Sequence, residues 1–201
     1  MDNKTPKSVL IIVAHPDDET LWAGGTILNN PSWNCFIVSL CRKEDADRAP
    51  KFYQVLTALN ATGTMGNLDD GPAQTPLNNV DIQQIILNLL PKTDFDLIIT
   101  HNLSGEYTTH LRHQEVSKAV MRLWRADKIK ADTLWAFAYE DGNKAYFPTA
   151  VAQAHLYNVL PKPIWLQKYA LMTQTYGFKK DTWEAQTTPK AEAFWVFHKE
   201  K

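Results

Sequence analysis

The stretch Val9-Leu10-Ile11-Ile12-Val13-Ala14 is followed at once by His15-Pro16-Asp17-Asp18-Glu19. An unbroken apolar run rich in β-branched residues is typical of a strand that is covered on both faces of a parallel sheet. In such sheets, ligands bind beyond the carboxyl ends of the strands. The imidazole and the three carboxylates that come next therefore occupy the position where this class of fold carries its function.

Similar apolar runs alternate with helical patterns along the rest of the chain. The runs predict further strands at residues 36–40, 97–100 and 134–138. Apolar residues at three- and four-residue spacing predict helices at residues 20–28, 49–59, 80–90 and 114–124. This alternation predicts a three-layer, Rossmann-like α/β fold, in which helices cover both faces of a mostly parallel sheet.

The later part of the chain has a weaker pattern. Stretches rich in Gly, Asp, Asn and Pro predict loops at residues 63–76 and 141–148. We expect helices at residues 150–160 and 165–176, and a short final strand at residues 194–197. A chain of 201 residues with 44% hydrophobic composition suits one sizeable core, so we expect a single domain over residues 1–201.

Composition and charge narrow the classes of partner. The formal net charge of −1, with both signs interspersed, offers no electrostatic footprint for nucleic acid or for an anionic membrane, so we expect a small-molecule partner. We find neither a secretory signal nor a transmembrane segment. Cys35 and Cys41 lie on one predicted strand, too far apart for a disulfide, and are expected to be reduced and buried. These features predict a cytoplasmic protein, and they leave open whether it forms a homo-oligomer.

The polar residues that follow the strands suit a metal centre. Histidine and carboxylate side chains bind Zn²⁺, and a catalytic site uses three protein ligands and leaves a fourth position open. A strand-end His and Asp with one His from a distant loop would meet that count. His110 and His113 stand at i and i+3 and can address one site, where one can bind metal and the other can stabilise oxyanion charge. A second Asp beside the metal-binding one could accept the proton of a metal-bound water molecule.

These motifs resemble those of the PIG-L or LmbE-like zinc-dependent deacetylases. Residues 13–19, with Leu21 and the run 24–26, resemble the N-terminal signature of that family, and His110-Leu111-Arg112-His113 resembles its second signature, His-x-x-His. The family often has Pro-Asp between those two histidines, where this chain has Leu111-Arg112. Weaker similarities extend to Arg48, Lys168 and residues 191–194.

The resemblance implies a role for each motif residue. Three residues would bind Zn²⁺, namely His15, Asp18 and His113. Asp17 would be the general base, and His110 would stabilise the tetrahedral intermediate. Fe²⁺ accepts the same ligands and is the alternative ion. The candidate substrate contacts are Arg48, Trp22 and His101; for His101, a supporting contact to the ligands or ordinary loop packing are alternatives.

The expected activity is removal of an N-acetyl group from a sugar-like or glycoside substrate, by a water molecule that the ion activates. Two alternatives remain open on the sequence alone. One is an amidase that cleaves a larger acyl group from a sugar or thiol conjugate. The other is a binding module in which the metal has no catalytic part, which the distance of both cysteines from the motifs disfavours.

Overall fold

The computed structural model describes residues 6–108 and 110–199, which build a seven-stranded mixed sheet. Its order is β3-β2-β1-β4-β5-β9-β8, and the first five strands in this order run parallel. β9 is antiparallel to β5 and β8, while β6 and β7 form a separate antiparallel ribbon. The strand bounds are β1 (Ser8–Val13), β2 (Asn34–Ser39), β3 (Thr62–Met65), β4 (Leu97–Thr100), β5 (Thr133–Phe137), β6 (Tyr139–Glu140), β7 (Thr149–Ala150), β8 (Leu156–Val159) and β9 (Ala191–His198).

Helices cover both faces of this sheet. One core cluster contains side chains of α1 and α2, and the other contains side chains of α3 and α4. The predicted three-layer α/β fold is therefore confirmed. Within the described residues, no helix combines the length and apolar character needed to cross a membrane. The helices are α1 (Asp18–Leu28), α2 (Arg48–Ala58), α3 (Asn79–Leu89), α4 (Leu111–Arg125), α5 (Lys162–Ala170), which continues into a π-helical turn (Leu171–Thr175), and α6 (Trp183–Thr187).

Strand β1 has the two-sided burial that its sequence predicts. Val9, Ile11 and Val13 belong to the core on the face of α1, whereas Leu10 and Ile12 belong to the core on the face of α4. All five side chains are fully buried. Because successive side chains of a strand point to opposite faces, only a continuous apolar run can fill both cores.

The order of the strands reverses at β1. β2 and β3 extend the sheet on one side of β1, and β4 and β5 extend it on the other. Open α/β sheets bind ligands in the crevice at such a reversal, beyond the carboxyl ends of the strands. The residues that follow β1 and β4 therefore meet at the edge where a site is expected.

Residues 63–76 were predicted to be a loop, and this is wrong for their first part. Residues 63–65 belong to β3, a four-residue edge strand. A Cβ at Gly63 would lie 2.1 Å from the carbonyl oxygen of Ile37, so the close pairing with β2 requires glycine there. A strand with so few apolar residues does not have the pattern of a buried strand, and the pairing with β2 determines its conformation.

The predicted helix at residues 150–160 is also wrong. This segment forms β7 and β8, and β8 pairs with β9 through the register Leu156 to Phe194. Tyr157 and Val159 are exposed on this edge strand, so the apolar spacing does not mark a buried helical face. The final strand, predicted at residues 194–197, is longer and lies inside the sheet between β5 and β8. The helix predicted at residues 165–176 is confirmed by α5 and its π-helical turn.

Candidate active site

The turn after β1 has a strained backbone. Asp17 adopts a φ of 139°, a value that side-chain-bearing residues rarely take. Its backbone N–H donates to the Glu19 carboxylate at 3.0 Å, and its carbonyl oxygen accepts from the backbone N–H groups of Thr20 and Leu21. The first turn of α1 therefore fixes the direction of the Asp17 side chain.

Three side-chain atoms from distant parts of the chain form a small triangle, which we call the ligand triad. His15 Nδ1 lies 3.2 Å from Asp18 Oδ2, His113 Nε2 lies 3.3 Å from His15 Nδ1, and His113 Nε2 lies 3.4 Å from Asp18 Oδ2. A tetrahedral Zn²⁺ with ligands at about 2.0–2.1 Å places neighbouring ligand atoms about 3.3 Å apart. The triad therefore fits three ligands of a single divalent ion.

Further side chains orient the triad. Glu106 Oε2 lies 2.6 Å from His113 Nδ1 and 2.9 Å from His101 Nδ1, and all three residues are fully buried. Asp70 Oδ1 lies 3.1 Å from His15 Nε2. A carboxylate on the second nitrogen of a metal-binding imidazole fixes its tautomer and orientation. Neither Glu106 nor Asp70 was predicted from the sequence to be a site residue.

The electrostatics of this cluster favour a positive charge. Burial lowers the pKa of His113, but the negative charges of Asp18 and Glu106 raise it to about 10. Burial raises the pKa of Asp18, but His113 and His15 hold it well below its usual value. The charges of His101 and His113 likewise outweigh burial and lower the pKa of Glu106 to about 2. A cation placed among these carboxylates is therefore stabilised.

Asp17 stands beside the triad without belonging to it. Its carboxylate lies on the wall of a cavity, and Oδ2 is 3.2 Å from Nη1 of Arg48. Burial and the neighbouring charge of Asp18 raise the pKa of Asp17 well above its usual value. A carboxylate with a raised pKa is a better proton acceptor near neutral pH.

His110 lies on the same wall. Its ring centroid is 4.7 Å from that of His15 and 4.2 Å from that of His113. Burial, and then the charges of His113 and His15, lower the pKa of His110 to about 3, so the ring is neutral. Its Nδ1 has no hydrogen-bond partner within the described part of the chain. A neutral imidazole can donate one hydrogen bond to an oxygen in the cavity.

The cavity, which we call the acidic cavity, has a volume of about 150 Å³. The structure brings five predicted site residues to its wall, namely His15, Asp17, Asp18, Arg48 and His110. His113 lies directly behind them and is fully buried. The wall also contains residues that the sequence analysis did not single out as site residues, among them Arg42, Asp70, Tyr107, Trp183 and Glu184.

The structure corrects the predicted substrate contact of Trp22, and it gives His101 the supporting contact that was one of its alternatives. Trp22 is fully buried, and its indole N–H donates to Asp18 Oδ1 at 3.1 Å. His101 is also fully buried: Nε2 accepts the backbone N–H of Ala14 at 2.9 Å, while Nδ1 faces Glu106. Both side chains therefore support the triad from inside the protein. The sequence spacing had suggested a place near the substrate, but the Trp22 side chain points from α1 into the protein interior.

Comparisons with known proteins give the following similarities. No family model matches the sequence. The uncharacterized protein L374 of Acanthamoeba polyphaga mimivirus is 24% identical over 170 residues, which cover 77% of this chain and 72% of that protein.

Solved structures resemble the chain over almost its whole length. The A40926 pseudoaglycone deacetylase Dbv21 has a TM-score of 0.67 at 15% identity and covers 98% of this chain and 100% of its own. The zinc-inhibited form of teicoplanin deacetylase Orf2 has a TM-score of 0.67 at 12% identity, covering 96% and 99%. The 4-carboxy-2-hydroxymuconate hydratase GalB of Pseudomonas putida KT2440 has a TM-score of 0.65 at 15% identity, covering 97% and 98%. These structures belong to the PIG-L/LmbE deacetylase fold family, and this chain has the fold of that family.

Proposed function

We propose that this protein is a metal-dependent hydrolase that removes an acetyl group from the amide nitrogen of a small, sugar-like substrate. The observation that carries the proposal is the ligand triad, whose three atoms lie 3.2–3.4 Å apart beside the Asp17 carboxylate. Two of the similar structures are deacetylases, which supports this choice of reaction.

His15, Asp18 and His113 would hold the ion, and we propose Zn²⁺ with Fe²⁺ as the alternative. When bound, such an ion supplies Lewis-acid polarisation of the amide carbonyl and makes a water molecule more acidic. Glu106 keeps the His113 imidazole oriented for this purpose, and the Asp70 carboxylate lies 3.1 Å from the second ring nitrogen of His15.

Asp17 would take a proton from the water as its oxygen attacks the carbonyl carbon. The C–N bond of the amide then breaks, and Asp17 returns that proton to the departing nitrogen, which leaves acetate and a free amine. Arg48 holds the Asp17 carboxylate at 3.2 Å and so keeps it at the edge of the cavity. His110 would donate a hydrogen bond to the carbonyl oxygen while negative charge develops there.

The substitution Asp17→Asn tests this proposal. We expect kcat for acetate release to fall by about 10²- to 10⁴-fold, because a general base is lost. Metal content should stay unchanged, since Asp17 is not part of the triad. Asp94→Asn is the matched control, because Asp94 is an exposed acid outside the cavity, and it should behave as the wild type.

Two outcomes would contradict the proposal. If Asp17→Asn keeps its turnover with a full complement of metal, Asp17 is not the general base. If the metal-loaded wild type releases no acetate from a broad panel of N-acetylated sugars, the deacetylase proposal is rejected. Release of a bulkier acyl group instead would favour the amidase alternative.

We place this activity in the cytoplasm. Cys35 and Cys41 are both free and buried. Burial raises the pKa of the Cys35 thiol to about 12, so this thiol is unreactive. Free thiols of this kind suit a reducing compartment.

A further inference from the structure

A second pocket opens next to the acidic cavity. It has a volume of about 630 Å³, within the range of about 300–1,000 Å³ that is usual for small-molecule sites. Tyr107 and Trp183 line both spaces, with ring centroids 4.7 Å apart, and so form their shared wall. We call this second space the aromatic pocket.

Large aromatic side chains are exposed in the aromatic pocket. Tyr146 is 46% exposed, Phe147 is 43% exposed and Trp183 is 36% exposed. Neighbouring exposed aromatic rings in a concave surface are costly to leave in water and mark a site for an apolar group. The acidic cavity differs, because carboxylates, arginines and histidines make up most of its wall.

The loop that carries Tyr146 and Phe147 is held in place by hydrogen bonds within the protein. It connects β6 to β7, and the Asp141 carboxylate accepts the Thr108 backbone N–H at 2.8 Å and its hydroxyl at 2.7 Å. The same carboxylate accepts the backbone N–H of Asn143 at 3.1 Å. Asp141 is thereby engaged by Thr108 and Asn143, which leaves the aromatic rings as the main apolar contact surface for a ligand.

We propose that the aromatic pocket is a subsite for an apolar ring attached to the N-acetylated sugar, so that the substrate is a glycoside with an aryl-like aglycone. This inference rests on the proposed function, which places the acetamide and the polar sugar ring in the acidic cavity. The shared wall of Tyr107 and Trp183 brings the aglycone against Tyr146 and Phe147.

The test compares N-acetylglucosamine with its phenyl β-glycoside on the metal-loaded protein. We expect kcat/KM to be about tenfold or more higher for the phenyl glycoside, as one apolar contact in a pocket commonly gives. Phe147→Ala should reduce this ratio toward one. Tyr53→Ala removes a comparably exposed ring (45%) from α2, outside the pocket, and should leave the ratio unchanged.

Calorimetric titration with phenyl β-glucoside, which lacks the acetamide, separates this inference from the proposed function. Binding to wild type that Phe147→Ala weakens supports the subsite, even if no acetate is released from any substrate. Equal kcat/KM for both sugars in the wild type, or equal affinity of both proteins for the phenyl glucoside, overturns it.

Discussion

At the first turn of α1, Glu19 joins the strained backbone of Asp17 to the protein interior. One carboxylate oxygen accepts the Asp17 N–H, and the other accepts the hydroxyls of Thr20 at 2.6 Å and Tyr176 at 2.7 Å. Glu19 is fully buried. A buried acid with these partners holds its neighbour in a conformation that would otherwise relax.

Glu19→Gln should therefore reduce kcat while metal content is unchanged. An amide group has one acceptor oxygen where the carboxylate has two, so the three hydrogen bonds that Glu19 accepts cannot all persist in their present form and the hold on Asp17 weakens. A displacement of about 1 Å at a catalytic group can cost about 10²-fold in rate. Steady-state kinetics and metal analysis check this, with the exposed Glu44→Gln as control. Unchanged kcat in Glu19→Gln would show that Asp17 is held by other contacts.

The residues that the sequence could identify lie in two short motifs. His15, Asp17 and Asp18 follow a recognisable strand, and the His-x-x-His spacing points to His113 as their partner. Glu106 and Asp70 have no comparable sequence signal, because each is a single acidic residue outside a motif. Only the folded structure shows that each lies against an imidazole. Trp22 was misplaced because spacing does not show which way a fully buried helix turns its side chains.

Among the elements, α1 is buried on every side. Glu192 of β9 accepts the backbone N–H groups of Gly25 at 2.8 Å and Thr26 at 2.6 Å, and Lys168 of α5 donates to it at 2.7 Å. A Cβ at Gly25 would lie 2.4 Å from Leu160 Cδ1. One buried ion pair thus joins α1, α5 and β9.

Lys168→Met should destabilise the protein by about 3–5 kcal/mol, because it leaves the buried Glu192 carboxylate without its cation. Urea unfolding measures this change. Lys162→Met, an exposed position on the same helix, is the matched control and should change little. The double variant Lys168→Met with Glu192→Gln should recover part of the loss. Equal stability of Lys168→Met and Lys162→Met would show that the pair is not needed.

Elements with a clear apolar pattern were predictable, and the edge of the sheet was not. β1 and α4 have enough buried residues to show their periodicity in the sequence. β8 has mostly exposed residues and acquires its conformation by pairing with β9. The sequence pattern cannot show such a pairing, because the partner lies more than 30 residues away.

At the scale of the whole molecule, the ligand triad joins layers that lie on opposite faces of the sheet. Asp18 begins α1, which packs in one core, and His113 lies on α4, which packs in the other. A bound ion would therefore connect both layers at the edge of the sheet. Binding to the folded state alone stabilises it by mass action.

Removing the ion should accordingly lower Tm. At free Zn²⁺ of 100 times Kd, the folded state gains about 2.7 kcal/mol. For a chain of this size, each kcal/mol corresponds to about 2–4 °C in Tm. Calorimetry with and without a chelator checks this in wild type, in His113→Ala and in the control His198→Ala, which alters an exposed histidine. An equal shift in His113→Ala would place the ion elsewhere.

The β6–β7 ribbon stands apart from the main sheet, and its loop supplies Tyr146 and Phe147. The described loop residues 141–148 belong neither to the two cores nor to the triad, so changes in the length of this loop would not alter those residues. On the proposed function and subsite, the bond-breaking residues and most of the residues that line the aromatic pocket lie on separate segments of the polypeptide. Descendants of one ancestral gene could then change their preferred molecules by remodelling this surface hairpin, while the machinery for breaking the bond passes on intact.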